Sequence, residues 1–103
     1  MLKLDPAPTF TAPALISVPG GDPIEVRITW RHKGRAAYQA WLDGPPNRTD
    51  VQALAEIIAD WGVEIDAPYN EENLARLLDI YPAAATDLIL AYRQALFEGR
   101  RKN

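Results

Sequence analysis

The chain contains no cysteine, which removes disulfides, thiolate nucleophiles and cysteine-held metals together and fits a reducing compartment. Histidine occurs once, at His32, so no multi-histidine metal site can form, and neither H-E-x-x-H nor zinc spacing is present. As a general base, His32 would need an orienting carboxylate and a nucleophile, but neither Ser17 nor any threonine lies in a nucleophile elbow. Its place between a strand and a helix predicts a surface or capping residue. No apolar run approaches the roughly 18 residues of a membrane span. The opening residues Met1 to Pro6 lack the long apolar core of a signal peptide, so a cytoplasmic location is expected. A basic excess is missing too: 11 Lys and Arg stand against 14 Asp and Glu, a net charge of −3. That balance gives no general pull toward nucleic-acid phosphates. The basic run Arg100, Arg101 and Lys102 reads as a solvated tail. Gly20, Gly21 and Gly34 do not form a phosphate loop, and neither a cofactor nor a metal is expected.

What is present is an ordinary globular composition, 48% hydrophobic and 24% charged over 103 residues, which predicts a single domain with a modest core. Residues 1–8 carry Pro6 and Pro8 and no pattern, and are expected to form a flexible arm. Residues 9–31 predict a β-hairpin. Phe10 to Val18 is a strand interrupted by Pro13, which belongs at an edge or bulge because proline cannot donate to a ladder. Pro19-Gly20-Gly21-Asp22-Pro23 is a turn, and Ile24, Val26, Ile28 and Trp30 then alternate with Glu25, Arg27, Thr29 and Arg31. One face of that strand should be buried and the other wet.

From residue 33 to 99 the period turns helical, and residues 100–103 form the basic tail. A first helix shows Ala37, Tyr38, Trp41 and Leu42 on one face before Gly44-Pro45-Pro46-Asn47. Thr49-Asp50-Val51-Gln52 fits a capping box, opening a helix whose stripe would be Val51, Leu54, Ile57, Ile58 and Trp61, with Gly62 as its stop. Asn70 is placed to cap a third helix bearing Leu74, Leu77, Leu78 and Tyr81, with Glu71 and Glu72 in its first turn and a Glu72–Arg76 pair outside. Pro82 suits the first turn of a fourth helix that ends near Glu98 with Gly99 beyond it. The fold class is α+β: an N-terminal β-hairpin packed on a small bundle of about four helices.

Asp60, Glu64, Asp66, Glu71 and Glu72 cluster in sequence but lack the spacing of a calcium loop, and read as solvation and helix-dipole complementarity. The aromatics are spread over several elements without interleaved Arg or Lys, so core positions fit them better than base stacking. At about 100° per residue, Ala85, Leu88, Ile89, Tyr92 and Leu96 share one face of the fourth helix. Ala83, Leu90 and Phe97 fall on the other side. Two readings stand open for that second stripe: contact with the hairpin or the arm, or a partner-binding and self-association surface.

Trp61-Gly62-Val63, the acidic stretch after it, Tyr69-Asn70-Glu71-Glu72-Asn73-Leu74, Leu77-Leu78-Asp79 and Tyr81-Pro82 resemble the tail assembly chaperones of long-tailed bacteriophages and prophages. The resemblance implies a non-enzymatic protein that binds the aggregation-prone tape measure protein in the bacterial host cytoplasm and is absent from the mature virion. It implies no nucleic-acid or membrane partner. It also implies a longer form, made by ribosomal frameshift, that recruits the tail tube protein. Arg101-Lys102-Asn103 is compatible with an A-AAA-AAC slippery stretch, which the nucleotide sequence would test. Candidate surfaces are the Leu90 and Phe97 stripe and the hairpin edge over Phe10 to Val18. The competing readings are a head–tail connector or other small virion assembly protein, a nucleic-acid-binding regulator, and a hydrolase using the acidic cluster.

Overall fold

In the computed structural model, which describes residues 1–99, the chain runs β1 (Thr9–Ile16), β2 (Ile24–Arg31), α1 (Arg35–Leu42), α2 (Asp50–Ala55), β3 (Ile58–Trp61), α3 (Glu71–Ile80) and α4 (Ala84–Phe97). This is the expected α+β order with one added strand. The basic tail lies outside the described residues.

The hairpin turn is set by residue chemistry. Gly21 N–H donates to the Val18 carbonyl at 3.0 Å across Pro19 and Gly20, and Gly20 has φ of +74°. Proline followed by a positive-φ glycine is the arrangement of a type II turn. From it β1 and β2 pair antiparallel, Ile16 opposite Ile24 and Thr9 opposite Arg31. Ala14, Ile16, Val26, Ile28 and Trp30 face inward and are buried, while Thr11, Pro13, Leu15, Glu25, Arg27 and Arg31 lie exposed on the other face.

The sheet order is β1-β2-β3, so β1 is an edge strand, as Pro13 predicts. His32 N–H donates to the Pro8 carbonyl at 2.9 Å. Antiparallel partners alternate between bonded and non-bonded pairs, so Thr9, Thr11, Pro13 and Leu15 turn their backbone groups away from β2. Just beyond, Ser17 N–H donates to the Asp87 carboxylate at 2.8 Å, tying the start of α4 to that edge.

The second helix is shorter than its apolar stripe predicts, and Gly62 does not end it. The chain leaves α2 at Ala55, with Ile57 N–H bonded to the Leu54 carbonyl at 3.1 Å. Ile58 to Trp61 then form β3 on the free side of β2. Ile28 faces Trp61 and Thr29 faces Asp60, but Trp30 faces Ile58, leaving Ala59 as an extra residue. A regular strand would send Ile58 and Trp61 to opposite faces; the bulge returns both to the core. The unpaired edge of β2 and the β-branched pair Ile57-Ile58 outweigh the helical spacing.

The helices complete the core. Thr49 and Gln52 form the expected capping box, with bonds of 3.1 and 2.9 Å. Asn70 caps α3 by accepting from Asn73 N–H at 2.7 Å. The Glu72–Arg76 pair does not form, because Arg76 Nη1 donates instead to the Asn73 side chain at 3.2 Å. Pro82 sits in the turn before α4, whose cap is Ala83, so it precedes the helix rather than opening its first turn. On α1 only Tyr38 and Trp41 of the expected face are buried; Ala37 and Leu42 are exposed. Trp30, Tyr38 and Trp41 ring Tyr92 at centroid distances of 5.2, 6.0 and 5.6 Å. The two tryptophans and Tyr92 find backbone acceptors: Trp30 Nε1 donates to Ala12 O at 3.2 Å, Trp41 Nε1 to Ala53 O at 2.9 Å and Tyr92 Oη to Arg31 O at 2.7 Å.

Candidate partner-binding surfaces

The segment from Trp61 to Pro82 builds a wall rather than a reactive centre. Trp61 is buried, donates from Nε1 to Ala67 O at 2.8 Å and meets Tyr69 edge-on at 5.0 Å. Tyr69 Oη donates to Ile58 O at 3.0 Å, which pins the loop over the end of β3, and burial raises its pKa. Gly62 N–H donates to Arg27 O at 2.8 Å. A Cβ at Gly62 would collide with the Glu64 carboxylate and lie 3.2 Å from Arg27 Cβ, so close approach explains glycine here. Val63 projects outward, 86% exposed. Leu74 and Leu77 are buried, Leu78 and Tyr81 are half-buried, and Tyr81 is the C-terminal cap of α3.

Glu64 accepts from Arg27 N–H at 3.0 Å and from Arg27 Nε at 3.1 Å. The backbone bond from Arg27 is the main cause of a pKa below the usual glutamate value, opposed by desolvation and aided by the Arg27 side chain. Among the described residues no group of three or more His, Cys, Asp or Glu is placed to hold a metal ion. His32 is exposed, its ring edge-on to Phe10 at 6.3 Å.

Of the outer stripe on α4, Ala83 is half-buried at the cap, Leu90 is 52% exposed and Phe97 is 53% exposed. The Phe97 ring meets Tyr38 of α1 edge-on at 5.0 Å, and the Arg93 guanidinium lies 5.6 Å over it. The structure therefore leaves Leu90 open and seats Phe97 against a core aromatic.

A second surface, of mixed apolar and polar character, escaped the sequence reading. Ile16, Val18, Ile24 and Val26 at the turn end of the hairpin, Trp61 at the end of β3 and Ile65 after it, and Leu77 and Ile80 of α3 with its cap Tyr81 line a cleft of about 500 Å³. Ile24 is 49% and Ile80 57% exposed, so the cleft opens to solvent between them. Glu64 and Asp66 stand on its loop wall and Arg76 on its α3 wall. Its residues are gathered from separate parts of the chain, and no local periodicity shows that they meet.

A family model described as phage tail assembly chaperone matches residues 1–103, the whole chain. No curated protein and no solved structure matches the chain.

Proposed function

Because the chain belongs to the phage tail assembly chaperone family, we propose that it binds the tape measure protein and keeps it soluble while the tail tube is built. Family membership carries this reading, and the exposed apolar side chains Ile24 and Ile80 at the cleft and Leu90 on α4 support it. A long helical client exposes apolar stripes until the tube encloses it, and modest apolar contact from a net acidic partner keeps such a complex in solution. No chemistry is required of the chaperone. Binding the soluble form lowers its free concentration and draws the client away from aggregation by mass action.

The action is set in the bacterial host cytoplasm, where tails assemble, and ends before the mature virion. No helix among the described residues is long and apolar enough to cross a membrane. We extend the reading to a longer frameshifted form that engages the tail tube protein, for which the nucleotide sequence coding Arg101-Lys102-Asn103 is the check.

Co-expression tests the central claim. The tape measure protein should be insoluble alone, soluble beside this chain and co-purified with it. Insolubility in both cases would overturn the reading, and finding the chain in purified mature particles would make it a virion component.

A further inference from the structure

The cleft between the hairpin turn and α3 has features that specify an occupant. Its lining mixes apolar side chains (Ile16, Val26, Leu77 and Ile80) with polar ones, between a sheet on one wall and a helix on the other, a groove that suits the apolar anchors and polar margins of an amphipathic helix. Its two walls carry opposite, uncommitted charges. Asp66 on the loop wall makes no hydrogen bond or ion pair among the described residues. Among the described residues the Arg76 side chain on the α3 wall bonds only the neutral Asn73 side chain, at 3.2 Å. Glu64, by contrast, is committed to Arg27.

We propose that this cleft, rather than the outer stripe of α4, docks an amphipathic helix of the assembly partner. Apolar side chains from successive turns seat between Ile24 and Ile80, a cationic side chain on one margin meets Asp66, and a carboxylate on the other meets Arg76. The proposal rests on the chaperone reading above and names the surface and client chemistry for it. About 500 Å³ accommodates a few aliphatic side chains, not a whole helix, so the client lies across the mouth and inserts its stripe. Weak contact repeated along a long client suits holding and release better than one deep site.

The test uses the full chain, isotope-labelled for NMR, and synthetic helical peptides with leucine at i, i+3, i+4 and i+7. One peptide carries Lys on one margin and Glu on the other, one carries Lys on both, and one Glu on both. The mixed peptide should bind best and shift the resonances of Ile24, Trp61, Leu77 and Ile80. Ile80→Glu, at a half-exposed position the fold tolerates, should weaken it about tenfold or more. Asp66→Arg should transfer preference to the all-Glu peptide and Arg76→Glu to the all-Lys peptide. Equal affinities throughout, shifts centred on Leu90 and Phe97, or cleft shifts that follow chain concentration without peptide would each overturn the proposal, the last by placing a second copy in the cleft. Co-expression separates this inference from the functional reading. If wild type and Ile80→Glu solubilise the tape measure protein equally, the cleft assignment fails and the chaperone reading stands. If peptides bind as described but wild type leaves that protein insoluble, the chaperone reading fails instead.

Discussion

Glu64 holds Arg27 at two points, its backbone N–H at 3.0 Å and its Nε at 3.1 Å, and so fastens the loop after β3 to the middle strand of the sheet. Because these bonds favour the carboxylate, the Glu64 pKa lies below its ordinary value of 4.5. Its stabilising effect is complete above that value and is lost as pH falls through the lowered one. Thermal melts of wild type and Glu64→Gln should differ most above the ordinary glutamate value of 4.5 and converge as the pH falls below it.

Gly62→Ala should act on the same clamp. The added Cβ occupies the place of the Glu64 carboxylate, which must swing away from Arg27. A modest loss of stability is expected in denaturant unfolding, because Arg27 Cβ, 3.2 Å from the new methyl, must also give way. Combined with Glu64→Gln, the losses should be less than additive, because both changes release one contact.

Tyr92→Phe keeps the ring among Trp30, Tyr38 and Trp41 but removes the donor to the Arg31 carbonyl. The bond is only partly buried, so its loss should cost about 0.5–1.5 kcal/mol. Burial, with Tyr38 adding to it, pushes the Tyr92 phenol up to about 12. The fold thus favours the neutral phenol: this stability is intact below the ordinary value of 10.0 and declines as pH rises from there through about 12. Chemical unfolding near each end of that window should show a steeper alkaline decline for wild type than for Tyr92→Phe.

The α4 stripe should divide under mutation. Leu90→Ser, at an open position, should change stability by less than about 0.5 kcal/mol. Phe97→Ser removes the edge-on contact with Tyr38 and should cost about 0.5–1.5 kcal/mol. Equal costs for the two would mean that Phe97 gains nothing from Tyr38.

The pattern of what local sequence reveals is physical. Pro19-Gly20, the alternation from Ile24 to Arg31, the Thr49–Gln52 box and the Asn70 cap each depend on residues within a few positions, and the structure contains all of them. Strand β3 was hidden because its bulge spaces Ile58 and Trp61 by three, the interval a helix also gives. Phe97 lies opposite the buried face by helical geometry alone, and only the position of α1 brings Tyr38 to it. The cleft was illegible for a related reason: Ile24, Asp66, Arg76 and Ile80 meet only once the hairpin, the loop and α3 are assembled.

Pro13 gives the edge of β1 a further meaning. The outward row of backbone groups has no amide hydrogen at its middle, and its far end is occupied where Asp87 takes the Ser17 N–H. An incoming extended segment could not keep a continuous ladder along it. A strand edge with a continuous row of free backbone groups invites pairing with any extended segment it meets. Here the strand that would serve as a template is interrupted by its own backbone, so contacts with an assembly partner are left to side chains and can come apart.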